Sequence, residues 1–471
     1  MKINTKLLTA LSISMLLANG TQAQEAWDLT RCIDYAIAHN LTVKQQEAAR
    51  DKSEVELNTA KWSRLPDLNG SASHSFNFRR SLQANNTYQS INTQNTGLNL
   101  STSVPLFTGM QIPNNIALSK LNLKAATEDL NKAKEDISIE VASAYLQVLF
   151  NEELVKIARQ QVELSQEMLA QKEAYFKNGK ASEAEWYEAK SRVAQDQLSL
   201  VQTENDYRLS LLDLSQLLEL PSPDNFRIVS PDIQPEQLFG TLTPPAEIYS
   251  QALLTKPSIK AAQYRLEGAA RSIRIAQSAY YPQLNFGAGL GTSYYNVSGR
   301  ENPSFHSQLK DNFSQYVGLS LSIPIFNRLS TRNRVRTARL EQTTLNWQLE
   351  ETKKKLYKEI QQAYYNAVNA ESKYQSSQVA DEAAEASFKL MKEKYMYGKA
   401  NATEYNEART NWMKAVSDCV QAKYDYLFRT KILDFYKGIP LTLKYNNILH
   451  ISKLQFFNQN AWIPPEKRTC V

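Results

Sequence analysis

The chain has 471 residues, of which 42% are hydrophobic and 22% charged, with a formal charge of +6 from 54 Lys and Arg against 48 Asp and Glu. No basic stripe interleaved with aromatics is visible, which argues against nucleic acid as a partner. Only 14 glycines and 16 prolines punctuate the chain, so its elements are expected to be long, uninterrupted and mainly helical.

Residues 1–23 carry Lys2 and Lys6, an apolar stretch from Leu7 to Leu17 and a small-residue site around Ala23. That layout predicts a secretory signal peptide. No later apolar run approaches the ~20 residues of a membrane helix.

A first structural repeat is expected over 24–220. It opens with a helix and continues with two segments of period two, LNGSASHSFNF (68–78) and GLNLSTSVPLF (97–107), joined by a polar loop at 79–96. Residues 114–178 then lack Gly and Pro, with Leu123, Ala126, Leu130, Ala133, Ile137, Val141, Ala144 and Val148 in three-and-four steps. This is a coiled-coil seam, and roughly 60 helical residues would rise on the order of 90 Å. Gly179 supplies a tight turn, and 180–220 returns as a shorter helix.

A proline-rich linker at 221–245 leads into a second repeat over 246–441. Its strand-like segments are LNFGAGLGTSYY (284–295) and YVGLSLSIPIF (316–326), joined by a polar loop at 296–315. Its long helix covers 325–397, with Ile360, Ala363, Ala367, Ala370 and Tyr374 on one seam. Gly398 turns it into a shorter helix at 399–437. The tail at 442–471 has no counterpart in the first repeat.

The two repeats align residue by residue at several places. Pro66 falls on Pro282, SVPLF on SIPIF, Ala144-Tyr145 on Ala363-Tyr364, and Gly179-Lys180-Ala181 on Gly398-Lys399-Ala400. Segments of about ten residues with alternating hydrophobicity are the signature of outer-membrane barrel strands. A pair of half-buried hairpins in a soluble sheet would show the same alternation. Four strands cannot close a membrane barrel, because open edges in lipid leave backbone groups unpaired. Either the hairpins lie outside a membrane or several chains build one barrel.

The duplication, the Pro66 and Pro282 junctions, the PLF and PIF strand ends and the Gly-containing tips together resemble the TolC-like outer-membrane efflux protein family, from about Trp27 to Leu441. The resemblance implies a mainly α fold with a small β part: long α-helical hairpins forming a periplasmic helical barrel, and four strands per chain in a shared 12-stranded barrel. It further implies a homotrimer in outer-membrane lipid. That trimer would passively conduct cargo received from a periplasmic adaptor and an inner-membrane pump of RND or ABC type. The other reading is a periplasmic coiled-coil scaffold without a pore.

Glu404 and Glu407 stand at i, i+3, on one helix face. Around a symmetry axis such carboxylates would form a ring that attracts cations; on a charged helix they would equally form a solvated acidic face. The resemblance favours the ring, because the family's gating aspartate pair aligns onto Glu404 and Glu407. It also places the family's tip tyrosine at Tyr395 and its carboxylate partner at Glu185, which implies a Tyr395–Glu185 latch. The family's arginine is replaced by Ala400, leaving Lys399 or Lys180 as a substitute charge. The tip residues Gly179, Lys180, Ala181, Gly398, Lys399 and Ala400 are candidates for adaptor docking.

No enzyme is expected. The chain has no phosphate loop, nucleophile elbow or metal-ligand spacing. Cys32, Cys419 and Cys470 are scattered, as are His39, His74, His306 and His450, so neither a metal nor a cofactor is expected.

Overall fold

The computed structural model describes residues 26–82, 86–223, 226–231 and 242–443. The expected signal peptide, part of the 221–245 linker and the tail beyond 443, with His450 and Cys470, lie outside the described residues.

In chain order the elements are α1 (Leu29–His39), α2 (Leu41–Trp62), β1 (Asn69–Leu82), β2 (Tyr88–Phe107), α3 (Gln111–Lys177) and α4 (Glu183–Leu217). They continue with α5 (Pro245–Thr255), α6 (Pro257–Ser278), β3 (Gln283–Val297), α7 (Phe305–Asp311), β4 (Ser314–Ser322), α8 (Ser330–Met396) and α9 (Ala402–Tyr436). Helices of 11, 22, 67 and 35 residues occur in that order in each half of the chain. No helix among the described residues is long and apolar enough to cross a membrane.

The chain divides into two compact units, one drawn from Met1–Asn40, Asp136–Ile248 and Ile360–Val471, the other from Leu41–Glu135 and Tyr249–Glu359. The second holds the sheet, whose four strands run antiparallel in the order β1-β2-β3-β4. β2 and β3 pair across the two halves of the sequence, with Leu100 opposite Leu290 and Val104 opposite Phe286. Residues directly opposite share a face. The register therefore gathers Phe76, Phe78, Leu98, Leu100, Val104, Phe286, Leu290, Val317, Leu319 and Leu321 on one side. The other side carries Ser71, Ser73, Ser101, Ser103, Gly287, Gly289, Gly291, Gly318 and Ser320. Within the chain the apolar side is open: Val317, Leu319 and Leu321 are 74%, 67% and 60% exposed. β1 and β4 each leave one edge unpaired.

Two local expectations change here. Most of 79–96, expected as a loop, is strand, since β1 runs to Leu82 and β2 begins at Tyr88. Residues 92–96 are polar on both faces, so they lack the alternation that marks a half-buried strand. Conversely β4 ends at Ser322, not at 326. Pro324 has no N–H to give a ladder, and the partner strand β3 ends opposite Ser322 at Gln283, next to Pro282. The equivalent Pro105 stays inside β2 because a bulge between Pro105 and Phe107 absorbs it. Each strand pair then enters its long helix through two consecutive left-handed residues, Gly109 and Met110 (φ 61° and 67°) and Arg328 and Leu329 (φ 54° and 62°).

The first unit is helical. On α8, Ile360, Ala363, Ala367, Ala370 and Tyr374 are all buried, as a heptad seam requires. On α3 the seam is buried at Ile137, Val141 and Val148, while Ala144 is half-buried. Burial there broadens to Ala142, Tyr145, Leu146 and Leu149, because a second layer covers the helix. Tyr145 donates its hydroxyl to Val229 O (2.6 Å) and Trp27 O (3.2 Å), and Trp27 and Ile228 form a parallel bridge. The Trp27 ring packs edge-on against Tyr35 and Phe226. Trp27 and the segment at 226–229 are thereby held against the middle of α3.

Candidate functional site: the hairpin tips

Both tight turns are Schellman motifs. Lys180 N donates to Tyr175 O (2.8 Å) and Gly179 N to Phe176 O (2.9 Å); Lys399 N donates to Lys394 O (2.8 Å) and Gly398 N to Tyr395 O (3.0 Å). Gly179 and Gly398 have φ of 69° and 70°, and a Cβ on either would meet nothing within 4 Å. Glycine stands at both turns for its backbone freedom, not for want of space.

The outgoing helices start on matching caps. Ser182 Oγ accepts from Glu185 N (3.2 Å), and Asn401 Oδ1 accepts from Glu404 N (2.8 Å) while Glu404 Oε2 accepts from Asn401 N (2.9 Å). The second arrangement is a complete capping box. Glu404 is thus committed to its own helix start, whereas Glu407 is exposed and carries no hydrogen bond or ion pair among the described residues. The two expected gate carboxylates are not equivalent.

Tyr395 and Glu185 are brought into one neighbourhood, but a third residue stands between them. Lys172 Nζ contacts Glu185 Oε2 at 3.4 Å and lies 5.1 Å from the Tyr395 ring centroid. Burial works to lower the Lys172 pKa; its interactions with Tyr395 and Glu185 outweigh burial and leave it raised. Glu185 accepts from Lys172, not from Tyr395. The cation beside Tyr395 and Glu185 comes from α3, at Lys172. Tyr395 stacks on the buried Tyr405 (centroids 4.9 Å apart), and Tyr405 meets Phe388, which stacks on Trp412 at 4.9 Å. Burial raises the Tyr405 pKa against the opposing charge of Arg409. The docking candidates Lys180, Gly179, Gly398 and Lys399 are exposed, and Ala181 and Ala400 are half-buried.

Deeper along the hairpins lies an ion pair that sequence reasoning missed. Arg409 Nη2 contacts Asp196 Oδ2 at 2.6 Å and donates to Gln161 O at 2.9 Å, while Gln161 Nε2 donates to Asp196 Oδ1 at 3.0 Å. The Arg409 and Asp196 side chains are 3% and 4% exposed. Arg192 Nε approaches Asp196 Oδ1 at 3.4 Å. This network ties α9 to both α3 and α4. A signal did exist: Tyr405, Arg409 and Met413 form a buried four-step stripe, and Asp196 follows buried Val193 by three. A charge on an apolar seam demands a partner.

Against known proteins, the family model for outer membrane efflux proteins matches residues 32–219 and 248–435. The chain is 22% identical over 437 residues to the outer membrane protein TolC of Escherichia coli K12, covering 90% of this chain and 84% of that protein. It is 26% identical over 267 residues to the pyoverdine export outer membrane protein OpmQ of Pseudomonas putida, covering 56% of this chain. The chain spans about half of OpmQ's length (53%). The crystal structure of the CmeC outer membrane channel of Campylobacter jejuni superimposes with a TM-score of 0.72 at 20% identity, over 90% of this chain and 88% of that one.

Proposed function

The chain belongs to the outer membrane efflux protein family, and from that premise we propose that it is the outer-membrane duct of a tripartite export system, passively conducting cargo passed on by a periplasmic adaptor and an inner-membrane pump of RND or ABC type. The observation that carries this reading is the one-sided sheet. Its apolar face is exposed, its opposite face is rich in glycine, serine and asparagine, and both of its edges are open. An open-edged sheet with an apolar outside suits lipid only when further copies complete a barrel. Three copies related by a closed rotation would give twelve strands with an interior lined by the small polar face. The scaffold reading offers the exposed leucines and valines no partner.

The hairpin tips serve as the periplasmic gate. Glu407 carries the free carboxylate of the ring, and Glu404 contributes what its capping role leaves available. Lys172, between Tyr395 and Glu185, replaces the arginine that Ala400 lacks, as a point charge rather than a bidentate fork. Gly179, Lys180, Ala181, Gly398, Lys399 and Ala400 form the adaptor-facing surface. Small molecules rather than proteins are the cargo we favour.

A photo-crosslinking residue at Lys399 in cells tests this reading. Capture of a periplasmic adaptor supports a docked duct. Recovery of the chain in the soluble periplasm, with no adaptor captured, overturns it in favour of the scaffold.

A further inference from the structure

Between the two hairpins of the helical unit lies a cavity of about 320 Å³, lined by residues of α3, α4, α8 and α9. Three cations border it: Lys172, Arg192 and Arg409. Lys172 is matched by Glu185. The two arginines share the single carboxylate of Asp196, whose Oδ1 and Oδ2 are already taken by Gln161 and Arg409. Only Nη2 of the buried Arg409 guanidinium is hydrogen-bonded, and its Nε has no partner. Arg192 makes no hydrogen bond with any of its three nitrogens, its Nε being buried as well.

The buried Nε of each arginine has no acceptor, which is costly, and Arg192, whose side chain is 29% exposed, borders the cavity with further donors that no protein group engages. What would satisfy them is an acceptor-only group with two oxygens, which pairs with guanidinium through parallel hydrogen bonds. The rest of the lining favours a flat apolar body: the Tyr395–Tyr405 stack stands on one side, with Met168, Ala189 and Ala402 nearby. The remaining acid at the cavity, Glu188, is exposed. We propose that this cavity binds a small aromatic carboxylate, its carboxylate on Arg192 and Arg409 and its ring against the tyrosine pair. An occupant so held ties α4 to α9.

The test uses the full chain purified in detergent, with benzoate as the probe and benzamide as its uncharged isostere, in equilibrium dialysis. Benzoate should bind saturably at one per chain, and benzamide about tenfold more weakly or worse, since charge-assisted bonds to arginine are lost. Arg192→Ala should weaken benzoate by about tenfold or more. Its melting temperature should stay near that of the parent, because Asp196 remains held by Arg409 and Gln161. Absence of saturable benzoate binding, equal binding of benzamide, or an Arg192→Ala affinity equal to the parent's would each overturn the proposal.

Discussion

Removing the Asp196 carboxylate leaves two guanidiniums facing each other with no counter-charge between them, Arg409 at 3% side-chain exposure and Arg192 at 29%. Breaking a buried ion pair from one side costs about 3–5 kcal/mol, because the surviving charge stays desolvated. Asp196→Leu is therefore expected to lower unfolding stability by about that amount. Arg409→Met is milder. Asp196 keeps a hydrogen bond from Gln161 and the neighbouring charge of Arg192, so the loss is about 1–3 kcal/mol, the range for a buried polar group deprived of one partner. The double variant Asp196→Leu, Arg409→Met removes both charges from the packed seam and is expected within about 1 kcal/mol of the parent, or above it. Guanidinium unfolding followed by far-UV circular dichroism at one fixed protein concentration measures all three, and the cycle isolates the coupling. Equal costs for the two single variants, or costs below about 1 kcal/mol for both, would refute the assignment of a desolvated pair.

Other expectations follow from single positions. Gly179→Ala and Gly398→Ala each force a Cβ into φ near +70° with no steric obstacle, so each should cost about 1–2 kcal/mol by the same unfolding assay, with Asn replacing glycine more mildly than alanine. Lys172 has a raised folded pKa, so its contribution is complete below the ordinary lysine value and is lost as pH rises through the folded value. Lys172→Met should therefore destabilise at neutral pH, and its difference from the parent should shrink in strong alkali; a pH-independent difference would mean that the charge plays no part. Cys32 is fully buried and its thiol is pushed up to about 12, mainly by that burial. It should resist a thiol reagent at pH 8 in the native protein and react on unfolding.

The parts of the fold that could be read from sequence are those where one period or one residue type governs. The α8 seam reads off Ile360, Ala363, Ala367, Ala370 and Tyr374 because each faces a single partner layer. The α3 seam broadens around Tyr145 because residues 27 and 226–231 cover it too, and nothing local announces that cover. Gly179 and Gly398 were legible as turns because no other residue adopts their φ at so little cost. Residues 92–96 were not legible as strand because their side chains are polar on both faces. At the tips, the neighbourhood of Tyr395 and Glu185 followed from the family pattern, yet Lys172 did not, since a lysine on a charged helix looks like solvated surface. Arg409 and Asp196 lie 213 residues apart. Moreover, Arg409 falls on the exposed Lys190 of the first repeat and Asp196 on Ala415 of the second, so the duplication could not reveal the pair.

The claim that several copies complete a barrel around an aqueous interior is tested most directly by recording single channels. The purified full chain would be added to a planar lipid bilayer at neutral pH. The account predicts discrete conductance steps from an oligomer, larger in a variant that loses both Lys172 and Glu185 at the tip. A monomer that stays in solution and produces no steps, with or without those substitutions, would contradict it.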